Sequence, residues 1–369
     1  MDKMTSVKGD SLKYIREYYK VSLAEVYART KIKVENLMKF ESGEDFPSYA
    51  QLEKLADYYN KPLFFFFSKD IPRENDIEIA FRKIEEAYGD DSISKQTMEL
   101  IEKASAYRLN LNELYENENR EIFSELVGKC LSHRELKELL REALDLSLAK
   151  QMEFARPEML LEYLRNKFYE LGVYVFKDSF KNNSISGLCV YDDEFPIVLL
   201  NNKTSFTRQI FTLFHEIYHL YLKEADIDFT EGIEERECNK FASDFLIPED
   251  DLKLQLDLMD DIEDITALNK LANRYNVSRD AIMYRLLKMN LLDKDFYNEN
   301  KIGYIRDSSS SAGGNFYYTK MSYLGTQYLN KVFSSYYSGK LSKSQVGIYT
   351  GLKSVHISKL ATRMMGGAL

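Results

Sequence analysis

The chain has 369 residues, 44% apolar and 30% charged, with a net charge of −9. That composition excludes a disordered or collagen-like chain and calls for two or three soluble domains with true cores. The longest aromatic run, Phe64 to Phe67, is far short of the ~20 apolar residues of a membrane span.

The start, "MDKMTSVKGD", has no apolar signal region. Cys130, Cys189 and Cys238 are odd in number and far apart along the chain. Both features point to a reducing cytoplasm, no membrane and no disulfide framework. The charge is unevenly spread. Residues 1–67 are nearly neutral, 68–300 carry −18, and 301–369 carry +8, with nine Lys/Arg against one acid. A basic tail on an acidic body implies an intramolecular dock, a nucleic-acid contact or a solubilising tail.

Residues 10–60 read as four or five short helices. In "SLKYIREYYK", Leu12, Ile15 and Tyr19 share a stripe. "SLAEVYART" opens on Ser22 with Glu25 three residues later, the spacing of a capping box. "KVENLMKFES" ends near Gly43, and "SYAQLEKLADYYN" turns Leu52, Leu55, Ala56 and Tyr59 inward. Short amphipathic helices with a tight turn before the third make a helix-turn-helix module.

Arg16, "SLAEV", "FESGEDFPS" and "LEKLADYYN" resemble the XRE/Cro-like repressor family over about 55 residues. The resemblance implies that the third helix enters the major groove of DNA. It offers Lys31, Lys33 and Lys39 for phosphates and Asn36 for a base edge. Such modules also serve as dimerisation or protein-binding units, and a homodimer is expected. "PLFFFF" reads as packing under this module or at a dimer face.

Residues 75–170 read as charged, periodic helices ("IEIAFRKIEEAYG", "SKQTMELIEKASAYRLNLNELY", "HRELKELLREALDLSLAKQ") with no evident chemistry. His133 starts a polar helix and reads as a surface or capping residue. "LGVYVFKD" then changes to strand periodicity, and "SISGLCVYDDEFPIVLLNN" predicts a hairpin. A long helix follows from Thr204 or Ser205, and another, "EERECNKFASDFLIP", ends at Pro248. "ITALNKLANRYNVSRDAIMYRLLKMNLL" reads helix, turn at Asn276–Ser278, helix. "SSSSAGGN" (308–315) is a linker by composition, and the tail again reads helix, turn at Gly351, helix.

The long helix carries "FTLFHEIYHLYLKE". His215 and His219, two of only four histidines, lie one turn apart on one face and can chelate one ion. Glu216 points about 100° away, where it can serve as a base. Zinc lowers the pKa of its water to roughly 7, so that base can work near neutrality. The structural alternative is a pair of packed core histidines. A third ligand is needed, and the next helix supplies Glu231, Glu234, Glu235 and Glu237.

"ISGLCVYDDEFPIVLLNNKTSFTRQIFTLFHEIYHLYL", "EERECNKFASDFLIPED" and "LANRYNVSRDAIMYRL" together resemble the ImmA/IrrE family of bacterial and phage metallopeptidases. The resemblance implies a gluzincin-like fold with Zn2+ held by His215, His219 and Glu235, and cleavage of a repressor protein. Glu235 is singled out because an acid precedes the family's Ala-Asn pair by three positions, and Cys238-Asn239 occupies that pair here. Asn239 would then orient a ligand imidazole. Two departures stand out. Tyr218 replaces a small residue and could face off the metal or bond a substrate oxyanion. Cys238 replaces Ala and reads as a buried small residue, with zinc ligation or redox chemistry as the alternatives. The tail also resembles that of long members encoded beside small toxin-like proteins.

The expected fold is therefore mainly α with a small β-sheet (α+β). The expected spans are an XRE-like module (1–68), a helical connector (69–152), a metallopeptidase domain (153–252), a helix-turn-helix-like pair (253–300) and a basic helical tail (301–369). The expected function is that of a cytoplasmic DNA-binding zinc metallopeptidase cutting a repressor or toxin-like partner. The rival is a repressor or antitoxin that uses the metallopeptidase fold only to bind a partner. A third expectation is that the basic tail folds back over the active-site cleft.

Overall fold

The computed structural model describes residues 3–67, 95–116, 118, 120–130, 132–180, 185–224, 233–302 and 315–366. The sequence-predicted helix at 77–89, the linker at 308–314 and Glu231 lie outside the described residues. The chain is mainly helical with one small sheet, and it divides into two units, Met1–Glu102 and Lys103–Leu369.

The first unit holds α1 (Gly9–Tyr18), α2 (Leu23–Thr30), α3 (Val34–Ser42) and α4 (Tyr49–Tyr59), then a 3-10 turn at Leu63–Phe67. Ser22 and Glu25 form the capping box that starts α2, and Ser48 with Gln51 forms another that starts α4. Lys31, at φ 61°, and Gly43, at φ 74°, stop α2 and α3 in the left-handed region. Arg16 ties α1 to the end of α3 by a forked pair with Glu41, at 2.7 and 2.9 Å. Leu12, Ile15, Tyr19, Leu52, Leu55 and Tyr59 are buried together with Phe66 of the aromatic run.

Helix α5 (Lys95–Tyr115) contains the division between the units. Next come α6 (Ile122–Val127), α7 (His133–Ala143), α8 (Leu148–Glu153) and α9 (Pro157–Glu170). Three strands follow, β1 (Tyr174–Asp178), β2 (Gly187–Val190) and β3 (Ile197–Asn201), in the order β1-β3-β2. β2 and β3 form the expected antiparallel hairpin, with Gly187 opposite Leu200. β1 joins β3 in parallel, Tyr174 opposite Ile197. All five side chains of β3 are buried, as a central strand requires.

Helices α10 (Phe206–Glu224) and α11 (Ile233–Leu246) are the pair that carries the motif residues. The Ser205 hydroxyl accepts the Arg208 N–H, which starts α10 one residue after the expected position. Phe214 of α10 stacks on Phe245 of α11 at 4.1 Å. After α12 (Glu249–Leu256) come α13 (Ile265–Tyr275) and α14 (Arg279–Lys288), with Asn276 left-handed in the turn and Ser278 capping α14. The buried Gln151 amide donates to the Leu246 and Tyr275 carbonyls, at 2.9 and 2.8 Å. It thereby satisfies the last carbonyls of α11 and α13, which have no helical partner. Helix α15 (Lys294–Asn300) precedes the tail.

The tail forms α16 (Phe316–Leu324), α17 (Thr326–Tyr337), α18 (Lys343–Thr350) and α19 (Ser354–Gly366). Among the described residues, its main contacts are not with the motif helices. α16 packs on β1, and α17 packs on α9. The buried Arg165 guanidinium reaches the Ser322 and Tyr323 carbonyls at one end and the Val175 carbonyl at the other. These contacts dock the tail on the side of β1, whereas the motif glutamate lies by β2. Among the described helices, none is long and apolar enough to cross a membrane.

Candidate metal centre

His215 and His219 are on one face of α10, and their Nε2 atoms are 3.1 Å apart. Glu235 of α11 places Oε2 3.3 Å from His215 Nε2 and Oε1 3.2 Å from His219 Nε2. Four bonds of 2.0–2.1 Å in a tetrahedron put neighbouring ligand atoms about 3.3 Å apart. The three side chains therefore already stand at the separations that a zinc ion imposes. Glu235 Oε1 is buried and accepts no hydrogen bond. Its proximity to His219 Nε2 is that of two groups aimed at a common point.

The second nitrogen of His219 shows the same design. Nδ1 is 2.7 Å from Glu234 Oε1. A carboxylate there holds the proton on Nδ1 and leaves the Nε2 lone pair facing the centre. Asn239 was expected in this role. Instead its amide donates to the Glu235 carbonyl one turn back, at 2.8 Å. The difference is one of reach, because Glu234 has the longer side chain and lies on the first turn of α11, beside the ring. Glu237 stands away from the cluster, 3.8 Å from Lys240.

Burial alone would lower the His219 imidazole and raise the Glu235 carboxyl. Polar neighbours win in both cases. Cys238, Glu234 and Glu235 around His219 hold it well above its usual value, and the two imidazoles beside Glu235 hold it well below the carboxylate range. The structure thus keeps Glu235 in the ionised form that a ligand needs.

Cys238 is fully buried, and its sulfur lies with the two imidazoles in a cluster whose ligand atoms are within 4.8 Å of one another. Burial pushes its thiol up to about 11, although the bond to His219 opposes the rise. Cys189, on β2, bonds the Glu216 carboxylate, and burial drives its thiol well above the usual range. The two cysteines are far apart in sequence, yet both border the site. Alternation along "GLCV" could place Cys189 on one face of β2, but not beside Glu216.

Glu216 is buried on the side of α10 that faces β2. Gly187 makes that approach possible. A Cβ there would fall 2.5 Å from Thr212 Cγ2 and 3.3 Å from Glu216 Oε1. Tyr218 does not face the centre. Its ring stacks on Phe241 at 4.6 Å and lies beside His133. His133 is itself no free surface residue, for its Nε2 is 3.3 Å from Asp244.

The N-terminal candidates are on the other unit. Lys31, Lys33 and Lys39 are exposed and Asn36 is half-buried, around the start and outer side of α3.

Residues 169–287 match the family model of the IrrE N-terminal-like domain, Peptidase_M78. The matched stretch contains the sheet, both motif helices and the α13–α14 pair, so it runs through the domain boundary expected at 252. This is a metallopeptidase family, and the match agrees with the ImmA/IrrE resemblance over that stretch. No curated protein matches the chain at a significant level.

Proposed function

We propose that the IrrE N-terminal-like domain of this chain is a zinc-dependent peptidase that acts on a protein partner, in a chain whose N-terminal module binds duplex DNA. The convergence of His215 Nε2, His219 Nε2 and the Glu235 carboxylate at 3.1–3.3 Å, with a second carboxylate one residue from the first histidine, carries this reading. His215, His219 and Glu235 would hold the ion, and Glu234 would orient His219. Zinc, when bound, supplies Lewis acidity toward a peptide carbonyl. Glu216 takes the proton of an attacking water and returns it to the leaving amine. The Cys189 thiol, bonded to Glu216, holds that carboxylate in place.

The protein partner is a repressor or a small toxin-like protein, and the reaction releases the genes that the chain or its partner controls. DNA binding rests on α3, whose Lys33 and Lys39 suit phosphates and whose Asn36 suits a base edge.

Cys238 favours one other reading. A thiolate added to the two histidines and Glu235 would close the site with four protein ligands, as in structural zinc centres. The chain would then be a repressor or antitoxin that binds its partner without cutting it.

Incubation of the zinc-loaded chain with the product of the adjoining gene, with and without a chelator, separates the two. Peptidase action predicts chelator-sensitive cleavage that Glu216→Gln lowers by a factor of about 10²–10⁴ while zinc content stays the same. Equal cleavage by the variant would remove Glu216 from its role. Binding of the intact partner, without cleavage, would leave the non-proteolytic reading.

A further inference from the structure

The tail contains a second helix-turn-helix that matches the N-terminal one position for position. In the first unit, Val26, Thr30, Ile32, Leu37 and Phe40 are the buried positions of α2, the turn and α3. In the tail, Val346, Thr350, Leu352, Ile357 and Leu360 occupy the same spacing in α18, the turn and α19, and all are buried. Ser22 starts α2 through a capping box with Glu25, and Ser342 starts α18 through one with Gln345. Thr30 and Thr350 each donate their hydroxyl four residues back, to Val26 and Val346. The turn residue is left-handed in both, Lys31 at φ 61° and Gly351 at φ 64°. Gly347 admits the close crossing, since a Cβ there would meet the Leu352 carbonyl at 3.0 Å.

The outward face of α19 is suited to a polyanion. Lys353, Ser354, Val355, Ser358, Lys359 and Thr362 are exposed along it. Lys353 and Lys359 stand where α3 has Lys33 and Lys39. Residues 315–366 hold six lysines and one arginine and no Asp or Glu. The exposed side chains between the lysines, Ser354, Val355 and Ser358, are short, so the helix can approach base edges closely. Ser and Thr hydroxyls bond either base type, and an exposed Val suits a thymine methyl. The α13–α14 pair, also a helix, left-handed turn and helix, shows what a module without this use looks like. Asp280, Ile282, Met283, Arg285 and Leu286 of α14 are all buried, and of that helix only Lys288 is exposed.

We propose that α19 is a second duplex-DNA-reading helix, inserted in the major groove through Ser354, Ser358 and Thr362 with Lys353 and Lys359 on the flanking phosphates. It acts independently of α3, so the chain has two DNA-contacting modules of one design. His356 is not part of the contact, because its Nδ1 bonds the Tyr317 hydroxyl at 3.0 Å.

The test uses the full chain and two probes, a mixed-sequence duplex across a salt series and a random-sequence duplex pool for in vitro selection. Lys353→Ala with Lys359→Ala lowers the slope of log affinity against log salt by about two, because each lysine releases about one counterion. Ser358→Glu, at an exposed position that leaves the core alone, erases a sequence motif selected by a chain already carrying Lys33→Ala and Lys39→Ala. Those α3 substitutions by themselves leave that motif in place. Thermal midpoints confirm that every variant is folded. An unchanged slope and unchanged selected sequences in folded α19 variants would overturn the proposal, as would absence of any duplex binding. A fall in partner-protein binding with no change toward DNA would assign the face to a protein instead.

Discussion

The two edge strands of the sheet, β1 and β2, face opposite demands. β1 is built to be covered. Phe176 stacks on Tyr107 at 4.0 Å and meets Tyr328 of the tail edge-on at 5.1 Å. Arg165 bridges the Val175 carbonyl to the carbonyls that end α16. β2 turns two small residues toward the motif helix. Gly187 has no side chain to keep α10 away, and Cys189 meets Glu216 with a thiol. Large rings and a buried cation fix the tail on one strand, and a missing side chain brings a carboxylate to the other. Stability and chemistry are thus drawn from the two strands that flank β3, and each should be open to change without the other.

The largest effect falls on the metal. Glu235→Ala should release zinc at concentrations where Glu237→Ala retains it, as read by metal content after dialysis. The reverse order would mean that α11 presents a different carboxylate.

Arg165→Met comes next. It strips a charged donor from three carbonyls and takes one of two cations away from Glu162, while relieving the buried Lys177 of a like charge. The cost should be about 3 kcal/mol, or roughly 6–12 °C in the thermal midpoint of a unit of this size. Zinc content should not change. A parallel loss of zinc would break the proposed independence of the two edges.

Gly187→Ala should do the reverse. Overpacking against Thr212 costs about 1–3 kcal/mol, but the added methyl also presses on Glu216, so cleavage should fall more than stability predicts. Undiminished cleavage would show that the glycine serves only packing.

The smallest change concerns His219. Glu234→Ala should weaken zinc by about 10–100-fold, whereas Asn239→Ala, which removes only a bond to a backbone carbonyl, should leave affinity nearly intact. Equal losses would restore to Asn239 the role that its sequence position suggested.

Most of the architecture was legible in the sequence because local chemistry decided it. Ser22 and Ser48 start helices by capping, Gly43 and Asn276 end them in the left-handed region, and "VYDDEFP" turns a hairpin. The motif helix was legible because two histidines at a spacing of four can only share a face. The neighbours of the site depend on tertiary contacts that spacing does not encode. Glu234 against Asn239 is a matter of side-chain reach across two helices. Cys189 reaches Glu216 only because Gly187 lets α10 approach. The position of the tail was misjudged for a similar reason. Net charge drew attention to a long-range attraction, while the docking was decided by Arg165 and by aromatic rings, short-range groups with fixed partners.

The Tyr107, Phe176 and Tyr328 rings have a practical consequence for anyone shortening this protein. The stretch that matches the peptidase family ends at residue 287, and a shortened gene ending there would look complete by that criterion. Its product would lack Tyr328 and the carbonyls that Arg165 holds. It would present an uncovered edge strand with an aromatic patch to water, a surface prone to pairing with a second copy. Expression of residues 1–287 should therefore give aggregates, and solubility should return when residues up to 366 are restored.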